Sequence, residues 1–528
     1  MKYTQLNNWQ RNLFTYQFLI FLLFSAMSNT AIAQTAKPVL QYVVSMPNPA
    51  SHYYHVEFNC SRWGQNTINV KMPKWMPGYY QIMNYAKSVE NFSAQDNSKK
   101  SIPVKNLNEN TWQVTVTKNR PFNISYDVKA DRQFVANNYL DSSRGYIVPN
   151  GLFLYIDEHL NLPVSVKLIP NKKWSKVATG LAPVAGKPNE FTAPDFDILY
   201  DCPILMGNLE ELPSFKVKGI EHRFIGYKLG DFDRTQFMDN LKKVVEAAVA
   251  VIGDIPYRQY TFIGIGPGQG GIEHLNNTTV SFDGKGLHTA DGMNRMMNFL
   301  AHEYFHHYNV KRIRPFELGP FDYDKENKTN LLWVSEGLSV YYEYLIVKRA
   351  GIISEQALFT NFESSINAFE NNPGRLFQSL TQASYETWSD GPFGKQGGDA
   401  KKSISYYDKG PVVGLVLDFA IRQATQNKKS LDDVMQLLYW QYYKKLQRGF
   451  TDAEFQQACE MAAGISLSKE FEYVFTTKEF DYNTYLAYAG LKIDVQTDTE
   501  KGKKGFSIKR IEQPDELQSA ILHSWLLR

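Results

Sequence analysis

HEYFHHYNVKRIRP, residues 302–315, places three of the chain's ten histidines within six positions. Just upstream, Met293, Met296, Met297, Leu300 and Tyr304 recur at helical spacing, so the stretch reads as the end of an amphipathic helix. Residues four apart on a helix project from one face about one turn apart. His302 and His306 so placed reach one Zn²⁺ at about 2.0–2.1 Å. Glu303 sits beside the first imidazole, where its carboxylate is able to take a proton from water. His307 is turned about 100° from His306 and faces elsewhere. The same five-residue pattern arises by chance on solvated helices. The histidines alone therefore leave a metal site and an ordinary polar face both open.

A catalytic zinc needs a third protein ligand and one open position. The next helical pattern starts near Asn330, a good N-cap, runs through LLWVSEGLSVYYEYLIVKRA (331–350) and stops at Gly351. Within it Glu336 is flanked by apolar and aromatic residues. An ionised carboxylate in that setting is costly unless a cation pairs with it. Glu336 is the candidate third ligand, whereas Glu343, further along, reads as an ordinary helix-surface glutamate. KRIRP (311–315) lies just past a helix end, where a basic run complements the helix dipole and pairs with nearby acids, so it is assigned to structure.

Outward from these helices the pattern divides the chain, whose 528 residues suggest about three domains. Residues 34–225 carry short alternating runs such as HVEFNC, NTINVKM, TWQVTV and FNISYDV, the mark of an antiparallel β-sandwich. Residues 226–485 are mainly helical, beginning with FDRTQFMDNLKKVVEAAVAVIG, which Gly253 is placed to end. YTFIGIG (260–266) reads as a buried strand feeding the glycine-rich turn PGQGG. Residues 486–528 return to strand-like alternation in GLKIDVQ and GFSIKRI. The fold class expected is α+β, in several domains.

Composition is that of a soluble globular protein, with 43% apolar and 21% charged residues. Lys2, Arg11, the apolar run LFTYQFLIFLLFSAM (13–27) and Ala31-Ile32-Ala33 form a signal-peptide pattern over residues 1–33, with cleavage near Ala33. Secretion or export to a periplasm follows, without stable membrane insertion after cleavage. Losing Lys2 and Arg11 takes the net charge from +3 to +1, which gives nucleic acid no electrostatic footprint. Cys60, Cys202 and Cys459 make neither a metal-ligand spacing nor a disulfide framework.

HEYFHHYNVKRIRP, LLWVSEGLSVYY, GGIEHLNN (270–277) and PKWMPGYYQIMNYAKSVENFSA (73–94) together resemble the secreted glycyl aminopeptidase family of zinc metallopeptidases. The resemblance runs through nearly the whole mature chain. It implies an N-terminal β-domain, a thermolysin-like catalytic domain and a PDZ-like C-terminal module, of which 486–528 would be the start. It also implies one Zn²⁺ per chain and release of small N-terminal residues, glycine and alanine, from peptides with a free N-terminus. On this resemblance His302, His306 and Glu336 match the zinc ligands and Glu303 the general base. Gly270-Gly271-Ile272-Glu273-His274 looks like an exopeptidase motif, whose glutamate holds the substrate's amine, a group of pKa about 7.7–8 and largely cationic near neutrality. Tyr407, in SYYDKGPVVG, is similar to the tyrosine that steadies the oxyanion, with Tyr406 an alternative one residue away. One departure stands out: Val340 occupies the position four residues after Glu336 where an aspartate is expected. The group orienting a zinc-bound histidine must then come from elsewhere. Two rival readings are a zinc endopeptidase or other metallohydrolase, and a non-catalytic secreted peptide-binding protein.

Overall fold

Strand Tyr53–Ser61 buries every second residue, Tyr54, Val56, Phe58 and Cys60, and its neighbours Val39–Ser45 and Phe122–Lys129 alternate in the same way. The computed structural model in which this is seen describes residues 37–498 and 502–527. These strands are the centre of a seven-stranded sheet, ordered Ala182–Pro183, Glu190–Ala193, Val164–Ile169, Val39–Ser45, Tyr53–Ser61, Phe122–Lys129, Val89–Asp96. Its inner face packs on a four-stranded sheet that includes Thr67–Lys71 and Thr111–Thr115. Across the gap Phe92 stacks on Trp112 with ring centroids 5.0 Å apart. The sandwich departs from the expected antiparallel pattern at one pair, since Val39–Ser45 runs parallel to Val164–Ile169. A hairpin enforces antiparallel pairing; these two strands are joined through the whole intervening sheet, so no turn constrains their direction.

A six-stranded sheet in the catalytic half is ordered Glu210–Glu211, Ile220–Gly226, Gln259–Gly264, Asn277–Val280, Gly271–Glu273, with Phe215–Val217 also paired to Ile220–Gly226. Ile220–Gly226 pairs in parallel with Gln259–Gly264, so a boundary at 225/226 would cut through one of this sheet's inner strands. Pairing places the change of sheet near Glu210. The last strand, Gly271–Glu273, is antiparallel to Asn277–Val280 and lies at the edge. Helices cover the sheet. Arg234–Ile252 begins with the Asp233 side chain accepting the Gln236 amide and ends at Gly253, whose φ of +90° suits glycine. Ala290–Phe305 begins with Thr289 accepting the Gly292 amide and buries Met293, Met297, Leu300 and Tyr304.

The C-terminal segment forms a hairpin, Leu491–Asp498 with Lys503–Arg510, followed by helix Glu516–Leu527. Among the described residues the hairpin's strands pair only with each other, and Lys503–Arg510 docks on helix Glu355–Glu370. Asn367 bonds both the amide and the carbonyl of Phe506, and Glu363 accepts the Ile508 amide at 2.7 Å. Trp525 is buried, with its Nε1 donating to the Tyr341 hydroxyl. The segment packs on the helical core, where its apolar side chains find partners.

The signal-like segment lies outside the described residues. No described helix is long and apolar enough to cross a membrane. Cys60, Cys202 and Cys459 are all buried and unpaired.

Candidate metal centre and active site

Two helices meet at the centre of the catalytic half. His302 and His306 lie on the last turn of Ala290–Phe305 and its cap, and both are buried. Glu336 lies on a π-helical turn, Trp333–Gly337, that leads into helix Leu338–Arg349. The sequence suggested a regular helix capped at Asn330; instead Thr329 Oγ1 accepts the Leu331 amide, and the first full turn is widened. Such a turn inserts a residue and re-aims the side chain it carries, which is why π-turns recur at functional sites. Here it points the Glu336 carboxylate, 2% exposed, at the two imidazoles.

The donor atoms converge. His302 Nε2 and His306 Nε2 are 2.8 Å apart, and Glu336 Oε2 is 3.6 Å from the first and 3.2 Å from the second. A tetrahedral ion with bonds of about 2.0–2.1 Å sets its ligands about 3.3 Å apart, so this spacing fits zinc. His306 Nδ1 donates to the Asn309 carbonyl at 2.7 Å, which leaves its Nε2 lone pair facing the centre. The Asn309 side chain donates in turn to the Val334 carbonyl at 2.7 Å and ties the histidine helix to the π-turn.

The group that orients His302 is Glu343. Its Oε2 lies 2.8 Å from His302 Nδ1, off the ring's N–H axis, so the contact is chiefly electrostatic. The reading of Glu343 as a surface glutamate is corrected: seven residues after Glu336, two turns on, it shares the inward face. Burial disfavours the protonated form of His302, yet Glu336 and Glu343 outweigh it and raise its pKa; Glu336 does the same for His306. Glu336 itself, despite burial, is held far below the ordinary carboxylate range by His306 and His302. The field at the meeting point favours a cation. Among the described residues, these three are the only such group of metal-binding side chains.

Glu303 is 5% exposed, and burial pushes its carboxyl up to about 7. It rests against the edge strand. A Cβ on Gly271 would fall 2.6 Å from Glu303 Cδ, so any side chain there would have to displace the Glu303 carboxylate. Gly270 is needed for its backbone, at φ +86°. Two residues on, Glu273 is buried beside a loop of the β-domain, where a Cβ on Gly78 would meet its Oε2 at 2.8 Å. That loop belongs to PKWMPGYY, whose Trp75 is buried in the junction and donates to the Asp322 carbonyl at 2.8 Å.

Tyr407 opens helix Tyr406–Ala424, and its hydroxyl donates to Glu336 Oε2 at 2.9 Å. Tyr406 turns away to the Thr387 hydroxyl at 3.0 Å. Of the two tyrosines, Tyr407 is the one at the centre. His307 packs among the rings of Tyr257, Tyr260 and Tyr304, away from Glu336. KRIRP is structural: Lys311 pairs with Asp201 at 2.5 Å, and Arg312 donates to the carbonyls of Leu275 and His307. Sequence reasoning missed Glu343, Asn309 and the role of Gly78. Only Glu343, by its helical register with Glu336, left a readable signal.

With this geometry in hand, comparison with known proteins is decisive. Residues 41–208 match the Peptidase M61 N-terminal domain, and residues 295–413 match M61 glycyl aminopeptidase. The chain belongs to the M61 glycyl aminopeptidase family. This M61 enzyme is a zinc aminopeptidase by class. No curated relative matches it. Among solved structures it is similar to an aminopeptidase N family protein from Idiomarina loihiensis, with a TM-score of 0.82 and 26% identity over 90% of this chain and 82% of that one. An M1 zinc metallopeptidase from Deinococcus radiodurans shares the fold, with a TM-score of 0.52 and 14% identity over 84% of this chain and 96% of that one. A mutant of that metallopeptidase bound to a Tyr-Ser-Ala substrate gives a TM-score of 0.51 at 14% identity, over 84% and 95%.

Proposed function

We propose that this M61 enzyme removes N-terminal residues, glycine and alanine above all, from peptides outside the cytoplasm, using one zinc ion per chain. The observation that carries the reading is the meeting of His302, His306 and Glu336 beside a buried Glu303, with Glu273 two residues along the adjoining edge strand. His302, His306 and Glu336 would hold the zinc, which would supply Lewis acidity toward the scissile carbonyl and water. Glu303 takes the proton from the attacking water and passes it to the leaving amine as the C–N bond breaks. Tyr407 donates its hydroxyl to the carbonyl oxygen as negative charge develops there. Glu273 accepts from the α-ammonium of the substrate, so only a chain end fits. Gly270 and Gly271 let the peptide backbone approach the edge strand. The preference for small residues is taken from the family, and export from the signal-like residues 1–33.

Glu303→Gln tests the mechanism. It should keep its zinc and lose about 10²–10⁴ in kcat on glycine and alanine amides. Undiminished turnover would refute the base. The wild type should leave N-acetylated amides uncut; cleavage of blocked and free substrates alike would refute the amine site.

A further inference from the structure

The loop PKWMPGYY meets the active site at Gly78, and two residues later comes a side chain to which the proposed mechanism gives no part. The ring of Tyr80 is held in the domain junction, 7% exposed, edge-on to Trp388 with centroids 6.2 Å apart. The next residue, Gln81, donates to Gln396 Oε1 at 2.6 Å and fixes the loop to the catalytic half. Tyr80 lines one cavity together with Gly78 and Glu273. Glu273 belongs to the edge strand, and its carboxylate and that of Glu336 at the metal centre both bear on the phenol. Burial first, and then these carboxylates, raise its pKa, so the group is neutral.

Its hydroxyl is nevertheless without a hydrogen-bond partner among the described residues. The neighbouring phenols have partners: Tyr406 has Thr387 and Tyr407 has Glu336. The Tyr80 side chain is more than nine-tenths buried, its hydroxyl has no protein partner, and it shares a cavity with Glu273, so it is placed to meet a ligand. With Glu336 taken by the metal, the Glu273 carboxylate favours a cation, and the substrate's cation is its α-ammonium, whose several N–H donors exceed what Glu273 alone accepts.

We propose that Tyr80, contributed by the N-terminal β-domain, binds the substrate's α-ammonium together with Glu273, its phenol oxygen accepting one N–H. This rests on the aminopeptidase reading. The β-domain is then part of the substrate site.

Tyr80→Phe keeps the ring and removes the hydroxyl. The probes are glycine hydroxamate and acetohydroxamate, which share a metal-binding group and differ by the amine. For the wild type, glycine hydroxamate should inhibit more strongly. In Tyr80→Phe its Ki should rise about tenfold, as for loss of one hydrogen bond to a charged group, with acetohydroxamate and zinc content unchanged. KM for glycine amide should rise with little change in kcat. Unaltered Ki for both probes would overturn the assignment, as would an equal rise for both. A wild type that did not distinguish the probes would instead remove the amine site itself, and with it the proposed function.

Discussion

Two residues at the centre act through space rather than through bonds to a substrate. Glu343 faces His302 Nδ1 at 2.8 Å and has no other role in the site. Carboxylates that back a metal-ligating imidazole raise its basicity and fix its orientation. Glu343→Gln should therefore weaken zinc binding about 10–100-fold, measured by competition with a chelator, with the fold intact. Gly271 acts by what it lacks. The Cβ of Gly271→Ala would strike the Glu303 carboxylate at 2.6–3.0 Å and displace it. Because a misplacement near 1 Å costs about 10²-fold in rate, Gly271→Ala should lose that much kcat while retaining zinc and melting temperature. A fall in zinc content would mean instead that the ligands had moved.

Among the elements, the π-turn and the tyrosine helix form one device. A Cβ on Gly337 would lie 2.7 Å from Gly410 Cα and 2.8 Å from the Tyr406 carbonyl, so the two backbones touch. This contact sets Glu336 and Tyr407 at their mutual distance. Gly337→Ala must push the segments apart, and overpacking of this kind costs about 1–3 kcal/mol. The expected result is a lower melting temperature together with loss of zinc, both read on the purified protein. Loss of one without the other would show that the contact does not couple stability to the site.

Across the whole molecule, the β-domain and the catalytic half are joined by a buried ion pair. Lys311, from KRIRP, lies 2.5 Å from Asp201, each 8% exposed in its side chain, and His274 Nδ1 is 3.3 Å away. Burial alone would raise the Asp201 carboxyl, but Lys311 and His274 lower it to about 2 from 3.8. A carboxylate depressed on folding stabilises above its unfolded pKa, and that contribution is lost as pH falls through the folded value. Asp201 therefore adds on the order of 2 kcal/mol at neutral pH, lost between about pH 4 and pH 2. Lys311→Met leaves the buried Asp201 carboxylate with only His274 and the Leu275 amide beside it and should cost about 3–5 kcal/mol near neutrality. Thermal melts from pH 6 to pH 3 should show a steep acid decline in the wild type and a shallower one in the variant. Parallel curves would mean that Asp201 is not held by Lys311.

Local sequence is enough to specify what depends on period and residue type. Helical spacing put His302 and His306 on one face, alternation marked the β-sandwich, and an acidic residue in an apolar helix singled out Glu336. Spacing is local, and so are its consequences. The remainder depended on which distant segments meet. Glu343 acquires its role only because its face turns toward His302, and Tyr407 was separated from Tyr406 only by where each hydroxyl finds a partner. The parallel strand pair, the strand shared across the expected boundary and the docking of residues 491–498 and 502–527 depend on long-range burial. So does Gly78 against Glu273, a contact between two domains. Periodicity along a chain carries no information on these, because it records which face of an element is apolar and not what that face will cover.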